Sequence, residues 1–89
     1  MNEVYEFTTR SKKAEKQFYK VLNIRQDVKA KLEKLKQNPR RELNAHALQG
    51  KLQGKWSCYL GWDIRLVYEI DDEKKEIVVY AAGSHKVYE

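Results

Sequence analysis

Cysteine, proline and long apolar runs are all scarce in this chain. Cys58 is the only cysteine among 89 residues, which excludes an internal disulfide framework and a cysteine metal site. No apolar stretch approaches the roughly 20 residues needed to span a bilayer. The opening residues Met1-Asn2-Glu3-Val4-Tyr5 lack the basic-then-apolar pattern of a secretory signal. Repeats and low-complexity segments are missing too. An intracellular, cytoplasmic setting is the expectation that follows. Eighty-nine residues leave no room for a cofactor domain beside a substrate domain, so residues 1–89 read as one domain. Such a domain has a modest core and little stability to spare.

What the chain does contain is charge, unevenly placed. Hydrophobic residues make up 42% and charged residues 35%, a balance that suits an ordered soluble domain. The net charge is +5. Residues 1–41 hold 12 Lys and Arg against 5 Asp and Glu, whereas residues 42–89 hold 6 against 8. A basic half on a small domain favours a polyanionic partner, nucleic acid first among them. The plainer alternative is a lysine-rich, solvated helix surface.

Hydrophobic spacing supplies the elements. Val4–Thr8 alternates as a short strand. Ser11 is placed to cap a helix carrying Ala14, Phe18, Val21 and Leu22 at helical spacing, with Lys12, Lys13, Lys16 and Lys20 elsewhere on the wheel. Asn23 marks a break. A second helix from about Ile24 to Gln37 has Ile24, Val28, Leu32 and Leu35 as its apolar stripe, and Asn38-Pro39 stops it. Residues 40–55 read as a long polar connection with a helical turn near Leu43–Leu48. Three strands follow: Trp56–Leu60, Asp63–Ile70 and Glu76–Ala82, the last two joined by the charged loop Asp71–Lys75 and the last ended by Gly83. The expected fold class is α+β, with two N-terminal helices packed on a small, mainly antiparallel sheet.

Period-two alternation turns Ile64, Leu66, Tyr68 and Ile70 toward the helices and leaves Asp63, Arg65, Val67 and Glu69 on the other face. An arginine there suits bidentate contact with a phosphate, although an Asp63–Arg65 surface pair explains it equally simply. His85, just past the last strand, and His46, in the polar connection, carry imidazoles, the side-chain type suited to either proton-transfer role. Two histidines match the two proton transfers of RNA transesterification, one from the 2′-OH and one to the departing 5′-oxygen, with a cation to stabilise the phosphorane. Their separation matches no metal-ligand spacing, so neither metal nor cofactor is expected. Asp63 is a candidate to orient a histidine or to act as base. Tyr88 is a candidate for stacking or proton donation. Tyr59 and Trp62 offer aromatic faces to single-stranded RNA, and Lys51, Lys55 and Lys86 are candidate RNA contacts. Trp56 reads as core, and Cys58, alternating with Trp56 and Leu60, as a buried small apolar residue.

Three segments in order, His46-Ala47-Leu48 with the glycines after it, Arg65-Leu66-Val67-Tyr68, and Gly83-Ser84-His85 with Val87-Tyr88, resemble the RelE/YafQ-type toxins of type II toxin–antitoxin systems. The first and the Gly-Ser-His resemble the YafQ branch; Arg-Leu-Val-Tyr and the terminal Val-Tyr resemble RelE. The resemblance implies a microbial RNase-type fold and a ribosome-dependent mRNA interferase that cuts mRNA in the A site. It also implies a cognate acidic antitoxin, Arg65 at the scissile phosphate and a catalytic Tyr88. Tyr59 stands where the YafQ branch has a further active-site histidine. The tail after Gly83 is shorter than in RelE and lacks the arginine found there, a role His85 is placed to take. The alternative is a non-enzymatic toxin of the related ParE type that poisons DNA gyrase, a target that does not need this histidine, arginine and tyrosine set. A weaker alternative is a degenerate toxin kept only as a binding module.

Overall fold

The computed structural model describes residues 4–24, 26–61 and 63–84. The alternating segments become a five-stranded sheet: β1 (Glu6–Thr9), β2 (His46–Ala47), β3 (Trp56–Tyr59), β4 (Ile64–Asp71) and β5 (Glu76–Ser84), in the spatial order β1-β5-β4-β3-β2. Neighbours are antiparallel except β1, which runs parallel to β5 with Phe7 beside Ile77. Helices α1 (Lys12–Ile24) and α2 (Gln26–Gln37) cover one face. The α+β arrangement expected from the sequence is the one observed.

Local chemistry accounts for both helices. The Ser11 hydroxyl accepts the Ala14 N–H at 3.1 Å, an N-cap that satisfies one of the orphan donors of α1. Asp27 in the first turn of α2 and Lys34 and Lys36 in its last suit the helix dipole. Ala14, Phe18 and Val21 of α1 and Val28, Leu32 and Leu35 of α2 are buried against Cys58, Leu60, Leu66, Tyr68, Ile77 and Val79 of the sheet. Complete burial of a side chain such as Leu35 or Leu66 contributes about 1.5–3 kcal/mol. Trp56 is partly buried against this core, and Cys58 lies within it.

Several boundaries differ from the sequence expectation. α1 runs through Asn23 to Ile24, so Ile24 ends the first helix instead of opening the stripe of the second, and it is exposed. Asn in a last helical turn need not break it, because the tertiary contacts of the apolar face outweigh a weak propensity. The connection 40–55 is not irregular: a 3-10 turn at Glu42–Asn44 leads into β2, and a second at Gly50–Leu52 leads back toward β3. Gly50 (φ 69°) and Gly54 (φ 93°) occupy left-handed backbone that lets this segment reverse. Gly83 does not end the last strand; it pairs with Arg65 inside β5. Val67 was expected on an exposed face but is buried, as is its cross-strand partner Ser57. The register of β4 against β5 shifts between Val67 and Tyr68, with Val67 opposite Ala81 and Tyr68 opposite Val79. Tyr80 is thus the extra residue of a bulge, a feature that re-aims side chains.

One corner ties the connection to the sheet. Asp72, in the β4–β5 turn, accepts the Tyr5 hydroxyl at 2.6 Å and both guanidinium nitrogens of Arg40 at 3.1 and 2.8 Å. Arg40 also lies 5.9 Å from the Trp56 ring centroid. The buried Tyr68 hydroxyl donates to the Pro39 carbonyl at 2.6 Å. Hydrogen bonds from Arg40 and then Tyr5 lower the Asp72 carboxyl to about 2. Burial pushes the Tyr68 hydroxyl above its ordinary range, so it stays a neutral donor. The chain therefore leaves α2 in a defined direction and reaches β2 pinned from behind.

Candidate active site

β2 lies at the sheet edge beside β3, and its register sets His46 opposite Ser57. Just ahead of it, Leu43 and Asn44 both have φ 58°. That backbone is costly for leucine and tolerated by asparagine. Strain of this kind persists where the surrounding structure holds it, often at functional sites. Here it turns the Asn44 carbonyl to the imidazole, with Nδ1 of His46 at 3.1 Å. A carbonyl only accepts, so Nδ1 carries the hydrogen in this contact. The neutral ring then presents Nε2 as its proton acceptor.

Arg65 sits across β3 from that histidine, paired with Tyr59 on one side and Gly83 on the other. Its guanidinium lies 4.3 Å from the Tyr59 ring centroid, a cation–π stack. One nitrogen makes a long contact of 3.5 Å with the Ile64 carbonyl. Gly83 contributes no side chain on the opposite flank. Asn44, His46, Cys58, Tyr59 and Arg65 together line a cavity of about 310 Å³. A hydrogen-bonded imidazole and a stacked guanidinium thus line one small cavity, the pairing needed to move a proton and to hold an anionic phosphate. Cys58 adds no nucleophile, because burial pushes its thiol up to about 12.

The other residues singled out in the sequence scatter. Asp63 precedes β4, so the strand alternation does not reach it. It lines a separate depression of about 450 Å³ with Gln17, Lys20 and Ala82 beside α1, rather than the cavity of His46 and Arg65. Lys51 is exposed in the 3-10 turn Gly50–Leu52. Lys55 places its Nζ 4.7 Å from the Tyr80 ring centroid. Trp62, His85, Lys86 and Tyr88 lie outside the described residues. Among the described residues no group of three or more His, Cys, Asp or Glu is arranged to hold a metal. No helix is long and apolar enough to cross a membrane, again among the described residues. Sequence reasoning missed Asn44 and Tyr80. The signal for Asn44 was its tolerance of left-handed backbone just before a histidine; for Tyr80 it was the alternation of β5, which sets it on the face opposite the buried Ile77 and Val79.

The model of the bacterial YafQ toxin family of type II toxin–antitoxin systems matches residues 2–88. The chain belongs to the YafQ family. Solved structures of similar fold fit this membership. The crystal structure of the toxin–antitoxin complex RelBE2 from Mycobacterium tuberculosis contains a chain 23% identical, with a TM-score of 0.72, covering 93% of this chain and 100% of that one. YafQ from Escherichia coli is 19% identical with a TM-score of 0.64, covering 94% and 97%. The YoeB–YefM complex from Staphylococcus aureus contains a chain 21% identical with a TM-score of 0.66, covering 93% and 99%. No curated protein sequence matches. Identities this low speak for the fold.

Proposed function

We propose that the protein is a ribosome-dependent endoribonuclease, an mRNA interferase, that cleaves mRNA by metal-independent transesterification. The observation that carries this reading is the shared cavity of His46 and Arg65. In the reaction, His46 Nε2 accepts the 2′-OH proton. The 2′-oxygen then attacks the adjacent phosphorus and the 5′-oxygen departs with a proton. Products carry a 2′,3′-cyclic phosphate, or the 3′-phosphate formed from it, and a 5′-OH. Arg65 stabilises the extra charge of the pentavalent phosphate. His85, one residue past Ser84 at the end of β5, is the candidate proton donor. Tyr88 is the candidate to orient or stack the substrate, and Asp63 the candidate to orient a histidine.

Exposed Lys12, Lys13, Lys16 and Lys20 on α1 suit contact with ribosomal RNA, so activity should weaken with salt. The neighbours from Mycobacterium tuberculosis and Staphylococcus aureus were solved as toxin–antitoxin complexes. By analogy the partner of this chain is a small acidic antitoxin, which the basic N-terminal half would attract.

Primer extension on an mRNA in a reconstituted translation reaction tests the proposal, with a parallel reaction lacking ribosomes. Codon-phased cuts that need ribosomes and vanish with His46→Ala, Arg65→Ala or His85→Ala are expected. Intact mRNA at doses that stop growth would refute it and direct attention to a gyrase supercoiling assay.

A further inference from the structure

The sheet face that carries Arg65 holds a second cation–aromatic pair with no place in the chemistry above. Lys55 Nζ stands 4.7 Å from the Tyr80 ring centroid, as Arg65 stands 4.3 Å from that of Tyr59. Tyr59 and Tyr80 are 36% and 39% exposed, so both rings are accessible on this face. Between the pairs lie Ser57 and Val67, both buried. Lys55, Ser57 and Tyr59 alternate on one face, so the two pairs are separated by about 13 Å along β3 at roughly 3.3 Å per residue. A short extended single strand crosses that distance in a few nucleotides. Alternation from the buried Ile77 and Val79 sets Tyr80 on the opposite face of β5, at the register shift where Val67 pairs with Ala81. The Glu69 carboxylate on β4 is paired with Arg10 at 3.0 Å.

We propose that Lys55 and Tyr80 form a second nucleotide subsite, in which Tyr80 stacks a base and Lys55 contacts a phosphate of the same single-stranded RNA whose scissile phosphate lies at Arg65. The subsite rests on the ribonuclease reading for its substrate but is measurable without cleavage. It would position mRNA by its backbone and by sequence-tolerant stacking, leaving chemistry to the cavity at His46.

The test is fluorescence anisotropy with a short mixed-sequence 2′-O-methyl oligoribonucleotide, which lacks the nucleophile and stays intact. Tyr80→Leu should weaken binding about five- to tenfold with an unchanged salt slope, and Tyr80→Phe should restore it. Lys55→Gln should weaken binding and reduce the slope of log K against log salt by about 0.7, the contribution of one phosphate contact on a single strand; Lys55→Arg should keep both. A melting scan of each variant separates these effects from misfolding. Binding unchanged in Tyr80→Leu and Lys55→Gln overturns the subsite, as does a loss of antitoxin binding in their place, which would assign the face to a protein partner. Wild-type protein that does not bind the strand at low salt overturns it as well. Lys55- and Tyr80-dependent binding without any mRNA cleavage would uphold the subsite and sink the nuclease reading instead.

Discussion

Two corners of this sheet use the same components to opposite ends. In one, Arg40 lies near Trp56 and its guanidinium is gripped by both oxygens of Asp72, which Tyr5 also reaches. In the other, Arg65 lies over Tyr59, and among the described residues its hydrogen bonding amounts to one long contact with a backbone carbonyl. The first arginine has its anion built in. The second has a ring to hold it flat and space where an anion fits. What separates a brace from a candidate site is therefore the carboxylate, not the arginine or the aromatic. The left-handed backbone at Leu43 and Asn44 lies beside the second corner, at His46.

Substitutions at the two arginines should break this comparison most sharply. Arg65→Ala should lower ribosome-dependent cleavage by about a hundredfold or more, the typical loss when a preorganised group that stabilises transition-state charge is removed. Its melting temperature should stay close to wild type. Arg40→Ala should do the reverse, lowering the melting temperature while cleavage per folded molecule persists. A quantitative primer-extension series beside thermal melts checks both, and equal cleavage by the two variants would dissolve the distinction.

His46→Ala should cost about a hundredfold in cleavage, at the low end of general acid–base contributions. Next in size is Tyr68→Phe, which leaves the buried Pro39 carbonyl without its donor. A loss of about 1–3 kcal/mol in urea unfolding is expected, with cleavage by the folded protein retained. If Tyr68→Phe instead abolished cleavage at full stability, the brace would belong to the site.

The smallest effect concerns acid. The folded Asp72 carboxyl lies near 2, below its unfolded value of about 3.9. Its contribution is therefore complete above about pH 4 and is lost as the pH falls through about 2. Asp72→Asn should flatten that part of the stability-versus-pH curve. The change should be modest because the pair is exposed and solvent-screened. Unfolding curves between pH 5 and 2 would show it, and an unchanged slope would mean the Arg40 contact is not formed in solution.

The same comparison marks how far the sequence could be read. Both helices, the three long strands and the inward set Leu66 and Tyr68 followed from periodicity, because burying one face of a helix or strand leaves a repeating trace. The Ser11 cap was equally legible, since its chemistry is local. β2 was not: two residues are too few to show a period, and their pairing with Ser57 and Trp56 is made by backbone. The parallel β1–β5 contact joins residues 70 positions apart, Glu6 with Glu76, through hydrogen bonds that no side chain announces. Arg65 and His46 stood out by residue type, but grouping Asp63 with them extended the alternation ahead of the first residue of β4.

By itself the sequence determined the helix stripes, the strand that carries Arg65 and the excess of positive charge, all properties of local spacing and residue type. Tertiary structure alone decided that Arg40 is paired with a carboxylate while Arg65, among the described residues, is stacked on a ring, that His46 is held through Nδ1 by the Asn44 carbonyl, and that Lys55 reaches the Tyr80 ring. Those outcomes depend on which distant groups the chain returns to within a few ångströms. Electrostatic and hydrogen-bond energies fall off over that range, so side chains of identical type acquire different work from their neighbours.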